Sequence, residues 1–165
     1  MSAGTIAVCK FVGTISLGLL TGVSATLSTL TLPSLLTLST AVTARSTVTY
    51  LRTRTSIRTS YLRHITTFSL FSAYLLSPRR FRHPYLLYTS ILTFLSGPGV
   101  DFAIQLKEGS DASREALDLE AQGDDVNGEM VRKNVERMQY TENVRSIVAG
   151  LAFTMATVGL WGDGA

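Results

Sequence analysis

Phe11-Val12-Gly13-Thr14-Ile15-Ser16-Leu17-Gly18-Leu19-Leu20-Thr21-Gly22-Val23-Ser24-Ala25-Thr26-Leu27-Ser28-Thr29-Leu30 is a run of twenty residues without a charge. Coiled as a helix at about 1.5 Å per residue, it is about 30 Å long, the thickness of one hydrocarbon core. A helix with no charged stripe has no face suited to water, so this stretch points to a membrane-spanning helical protein. Lys10 closes its leading edge, where the stem can lie in lipid while the ammonium reaches the headgroups. Val23-Ser24-Ala25 also fits the cleavage site of a secretory leader. Against that reading, small and apolar residues continue to Leu36. Gly18 and Gly22 also form a helix-packing pair that a removed leader would not need.

Working outward, three further uncharged runs follow. Ile65 to Pro78 has fourteen residues, Pro84 to Val100 seventeen and Ser146 to Gly162 seventeen. The first is short for a span unless the helix starts near Ser60 and Arg63 reaches to the headgroups; otherwise it is a half-membrane or interfacial segment. Pro84 suits a first helical turn, where its missing N–H would have no partner anyway. Gly97-Pro98-Gly99 predicts a break. The resulting expectation is an all-α, multi-span transmembrane bundle with four spans at about 8–31, 60–77, 84–104 and 145–162. Ser77-Pro78-Arg79-Arg80-Phe81-Arg82-His83 is a tight basic turn between the middle two. An even count puts both termini on one side.

The division of charge supports two environments. Residues 1–100 hold nine Lys/Arg and no acid, while 101–165 hold six Lys/Arg and all twelve acids. Charged residues make up 16% of the chain, against about 25% in soluble domains. Mean hydropathy is +0.25. A soluble all-helical protein is the competing reading, but residues 1–100 have too little charge to clothe each helix on an outer face. Three regions result: 1–106, a basic membrane region with three hydrophobic segments; 107–144, an acidic polar loop with short helices; and 145–165, a last span with a short tail.

In lipid, helices associate by close packing and hydrogen bonds. Gly18 and Gly22 on the first span and Ala152 and Ala156 on the last share a four-residue spacing, so these helices are expected to meet along those stripes. Ala41 to Arg63 is rich in Ser, Thr and Arg, without an acid. It reads either as a basic strip on anionic headgroups, worth roughly 1 kcal/mol per basic residue, or as a solvated connector. Val48, Leu51 and Thr55 would share one face of a helix there. Nucleic acid is not the expected partner, because the strip lies between spans. In the acidic loop, 111–121 reads as a short helix, and a second helix starts near Gly128 and runs into the last span. Arg132 and Glu136 are an i,i+4 pair. Val131, Val135 and Met138 make an apolar stripe that either packs internally or takes a protein partner.

Catalytic patterns are missing from the sequence. Cys9 is the only cysteine, so no CxxC site exists. His64 and His83 are the only histidines and belong to no metal motif. No Walker or dinucleotide glycine motif occurs. The expectation is a non-enzyme without cofactor or metal. A pore would need ionisable residues within the spans, and Asp101 is the one candidate, at a span end.

Arg82-His83-Pro84-Tyr85-Leu86-Leu87-Tyr88 opens the third span, and Val158-Gly159-Leu160-Trp161-Gly162-Asp163-Gly164 lies near the end of the chain. Together with the Gly/Ser-rich first helix, they resemble the fungal autophagy-related protein 33 family over roughly 5–100 and the last twenty residues. The resemblance implies a small multi-span protein of the mitochondrial outer membrane that takes part in selective autophagy of mitochondria. Physically, Arg82 and His83 suit headgroup depth, Pro84 starts a helix, and Tyr85, Tyr88 and Trp161 suit the membrane–water boundary. A direct receptor for the autophagy ubiquitin-like protein needs an aromatic residue followed three positions later by Leu, Ile or Val in an accessible acidic strand. Tyr140 is followed at that spacing by Asn143, and the Tyr88–Ile91 pair lies within a span, so an accessory role fits better. The expected partners are the bilayer, proteins engaging 107–144 and, in an assembly, homo- or hetero-oligomeric neighbours. The alternative is a structural subunit or assembly factor of a larger membrane complex, in this or another intracellular membrane.

Overall fold

The computed structural model describes residues 3–37, 40–78, 82–109 and 128–162. The elements are α1 (Ala3–Thr26), a π-helical turn (Leu27–Thr31), α2 (Leu32–Leu35), α3 (Ala41–Leu76), α4 (Pro84–Leu95), α5 (Pro98–Glu108) and α6 (Gly128–Gly162). Every regular element among the described residues is helical.

α1, the π turn and α2 form one rod. Pro33 at the start of α2 has no N–H, and its ring would crowd the carbonyl four residues back in a regular helix. The chain widens by one residue just before it, with the Leu32 N–H on the Leu27 carbonyl. Thr29 Oγ1 donates to the Ala25 carbonyl at 2.7 Å. The same device recurs where Thr59, Thr93 and Thr157 donate to the carbonyl four residues back. Hydroxyls spent this way need no water, so a Thr-rich helix can remain in an apolar setting.

α3 corrects two expectations. The stretch 41–63, read as a headgroup strip or a connector, is the larger, leading part of a 36-residue helix. The expected separate span at 60–77 is the second half of that same helix. Among the described residues, only the rod Gly4–Leu35 and α6 are individually long and apolar enough to cross a membrane. α4 and α5 make a third such segment only when taken as one broken span, bent by 50°. By length and composition the described helices thus give two spans, or three with the bent pair, short of the expected four because Arg63, His64 and the polar start of α3 lower the hydropathy of that helix. The 50° bend follows Gly97-Pro98, where the break was expected. α6 runs unbroken from Gly128, so the boundary drawn between 144 and 145 falls inside a helix. The short helix expected at 111–121 lies outside the described residues, as does the rest of 110–127.

The four long elements form an up-down-up-down bundle in which α1 packs on α3 and α6, and α4 packs on the same two. Two cores result. The first joins Leu17, Leu20, Leu70, Ala73, Leu86, Ala149, Ala152 and Ala156. The second joins Leu32, Leu35, Ala44, Val48, Val131 and Val135 beyond the first, where α2 meets the starts of α3 and α6.

Candidate functional site

Between the two cores lies a layer of charge. Arg63 comes from α3, Asp101 from the first turn of α5, and Glu142 and Arg145 from α6. Arg145 donates through Nη1 to Glu142 Oε1 and through Nη2 to Asp101 Oδ1, each at 2.5 Å. Glu142 is only 4% exposed. The Arg63 guanidinium is within electrostatic reach of the other three. It occupies the space against Gly97, where an added Cβ would lie 2.2 Å from Cζ. Two positive and two negative groups cancel, which makes such burial tolerable.

The helix break supports this arrangement. A helix carries partial negative charge at its C-terminus and partial positive charge at its N-terminus. Arg63 stands where α4 ends, and Asp101 stands in the first turn of α5. Each ionised side chain therefore meets the helix end of opposite sign. Arg63 Nε, Arg145 Nε and Glu142 Oε2 are buried without a hydrogen-bond partner among the described residues. No group of three or more metal-ligating side chains occurs among the described residues. Chemically the layer is a fastening: it ties α5 to α6 and seats the α4–α5 break on α3.

The opposite end of the bundle is built around Tyr85. Its ring lies under Lys10 Nζ at 6.0 Å and against Gly159, where a Cβ would come within 2.4 Å. Pro84 occupies the first turn of α4, and His83 precedes it in extended conformation. Arg82 stacks over Tyr74 at 5.0 Å and donates to the Leu75 carbonyl at 3.1 Å, serving a free carbonyl at the end of α3. Tyr88 and Trp161 are exposed, Trp161 by 83%. The motif residues thus divide. Arg82, Pro84 and Tyr85 build the α3–α4 corner and its seat on α6, while Tyr88 and Trp161 face outward.

The small-residue stripes are also unequal. Gly18 lies under the Phe153 ring, with 3.0 Å to an added Cβ, whereas Gly22 has nothing within 4 Å. Ala152 and Ala156 are buried beside Leu17 and Leu20. At Gly13 an added Cβ would lie 2.7 Å from the Leu70 side chain of α3. Of the two readings of the stripe Val131, Val135 and Met138, the structure shows internal packing, against Leu32, Leu35, Ala44 and Val48. Beside it Arg132 holds Glu136 at 2.9 Å, and that hydrogen bond raises the guanidinium pKa above its ordinary value.

From the sequence, Asp101 stood out as an ionisable residue at a span end and Arg63 as one that reaches to the headgroups, but nothing joined them to each other or to Glu142 and Arg145. Arg63, Glu142 and Arg145 carried a signal of position only: each lies just before an uncharged run.

The comparisons with known proteins bear on the whole chain. The sequence model of the family described as Autophagy-related protein 33 matches residues 1–100. Autophagy-related protein 33 of Gibberella zeae is 36% identical over 185 aligned positions, covering 98% of this chain and 93% of the relative. No solved structure matches. With a family match over more than half of the chain and a relative aligned along nearly all of it, the chain belongs to the Autophagy-related protein 33 family.

Proposed function

We propose that this chain is a non-enzymatic, multi-pass protein of the mitochondrial outer membrane that promotes selective autophagy of mitochondria. It acts through protein partners or through the shape of the bilayer. The observation that carries this reading is the alignment with a protein named Autophagy-related protein 33 along 98% of the chain. The fold is in keeping with it. Leu70 and Ala73 of α3 share one core with Leu17, Leu20, Leu86, Ala152 and Ala156, so the second half of α3 sits at the depth of the apolar helices around it. On that argument four segments cross: α1, the second half of α3, α4 with the start of α5, and the second half of α6.

The test uses fungal cells that lack their own family member. Expression of this chain should restore delivery of a mitochondrial matrix reporter to the vacuole under starvation. Normal general autophagy without that restoration would sink the proposal. Protease added to intact mitochondria should cut within 107–145; full protection would count against recruitment of cytosolic partners by that loop. A second reading, a subunit or assembly factor of a larger membrane complex, draws on the open face of α1 at Gly22, where a neighbouring helix would fit. Comigration with a large complex on native gels, lost in Gly22→Leu, would favour it.

A further inference from the structure

The leading part of α3 has two faces. Ala44 and Val48 turn toward the second core. On the opposite side of the helix runs an open groove of about 700 Å³, bordered by Val42, Arg45, Thr49, Tyr50, Arg54 and Ile57. These positions recur every three to four residues, so they form one stripe, about 22 Å long at ~1.5 Å per residue. Val42, Tyr50 and Ile57 are exposed there, and Arg54 stacks over the Tyr50 ring at 5.5 Å. With Arg52 and Arg58 beside the groove, residues 41–58 hold four arginines and no acid. Exposed apolar side chains set among like charges suit an occupant that is both acidic and apolar.

Two occupants compete. Anionic headgroups would suit the arginines, but the headgroup region is only about 5–8 Å deep on each side of the hydrocarbon core. The groove runs about 22 Å along a helix that stands along the bundle, so headgroups would cover only part of it. The other occupant is the chain's own stretch 110–127, outside the described residues. It carries six acids and Arg114, a net charge of −5, and its Leu117, Leu119 and Val126 match the apolar part of the groove in kind.

The ends of that stretch are placed for such a contact. Gly128, the residue after it, lies against Ala41, with 3.8 Å from an added Cβ to the Ala41 Cβ. The stretch therefore rejoins the bundle within one turn of Val42 and Arg45. Before it, α5 ends beside α6, where Lys107 stacks on Tyr140 at 4.9 Å. From Tyr140 back to Gly128 is about 18 Å along α6. The eighteen residues of 110–127 can extend to about 60 Å, enough to bridge that gap and still follow the groove.

We propose that residues 110–127 dock in cis on the basic and apolar groove of α3. A protein partner that engages this acidic stretch must then displace it from Arg45 and Arg54. Only that consequence rests on the partner-recruiting reading of the proposed function; the contact itself is tested in detergent, where neither a bilayer nor autophagy enters.

Spin labels are placed in the full chain at Ser56→Cys, beside the groove, and at Gln122→Cys, with Cys9→Ser removing the native thiol. Double electron–electron resonance in detergent should give one narrow distance. Arg45→Glu with Arg54→Glu, at unchanged helix content, should cut the docked share about fivefold, as expected for two exposed ion pairs. Adding Asp118→Lys and Glu120→Lys should recover the narrow distance in part. A broad distribution in the starting chain, or a narrow one indifferent to the arginines, would overturn the proposal. Loss of the distance on mixing with excess unlabelled chain would overturn it too, by assigning the occupant to a second copy. Loss in vesicles containing phosphatidylserine, but not in phosphatidylcholine alone, would assign the arginines to headgroups and overturn it as well. None of these results bears on delivery of the matrix reporter to the vacuole, so this proposal and the proposed function fail separately.

Discussion

Arg145 holds two carboxylates from two helices, and its value lies in what its loss would leave behind. Removing one partner of a buried ionic group strands the others, at about 3–5 kcal/mol. Arg145→Met should therefore cost about 3 kcal/mol in a detergent unfolding titration, through the unpaired Glu142 carboxylate. Arg132→Met, which removes a surface pair on the same helix, should leave the midpoint unchanged. The glycines separate in the same way. Gly159→Val forces the Tyr85 ring off its seat and should destabilise by about 2 kcal/mol. Gly22→Ala meets nothing and should stabilise α1 by about 0.5 kcal/mol, from helix propensity alone. Both glycines lie in apolar runs, so sequence spacing cannot distinguish a crowded position from an open one.

At the scale of elements, proline and glycine punctuation was the most legible feature. Pro84 starts α4, α3 stops just before Pro78, and Gly97-Pro98 divides α4 from α5. Each follows from a missing donor or from the steric limits on the residue before proline. The length of α3 was not legible. Arginines and hydroxyls usually mark connectors, yet here Val48 and Ala44 face the second core, and Thr47 and Thr53 donate to carbonyls of their own helix. Pro33 makes the π turn by the same logic as the other breaks, though within a continuous rod. Pro33→Ala restores a donor for the Thr29 carbonyl. Amide exchange across 28–33 should then slow, with α6 unaffected; unchanged protection would mean that the widened turn has another cause.

At the scale of the molecule, the two cores make different demands. The first lies among helices apolar on their outward faces, and the second is clothed by arginines and by the polar start of α6. Leu32→Ala should cost about 3 kcal/mol locally and open the second core. Limited proteolysis should then quicken within 41–58 and 128–138 while 145–162 stays protected. Uniform cleavage along α6 would show that the cores unfold as one.

The sequence by itself determined the helical class, the apolar segments and the break after Ser96. Those depend on charge-free length and on backbone limits that each residue carries locally. Only the tertiary structure decided that Arg63, Asp101 and the Glu142–Arg145 pair share one layer, since they come from three distant stretches of the chain and meet through the register of three helices. It also decided that the Val131 stripe is filled from within. Which face of a helix is lipid-facing, core-facing or charged depends on its neighbours, and no single segment carries that information.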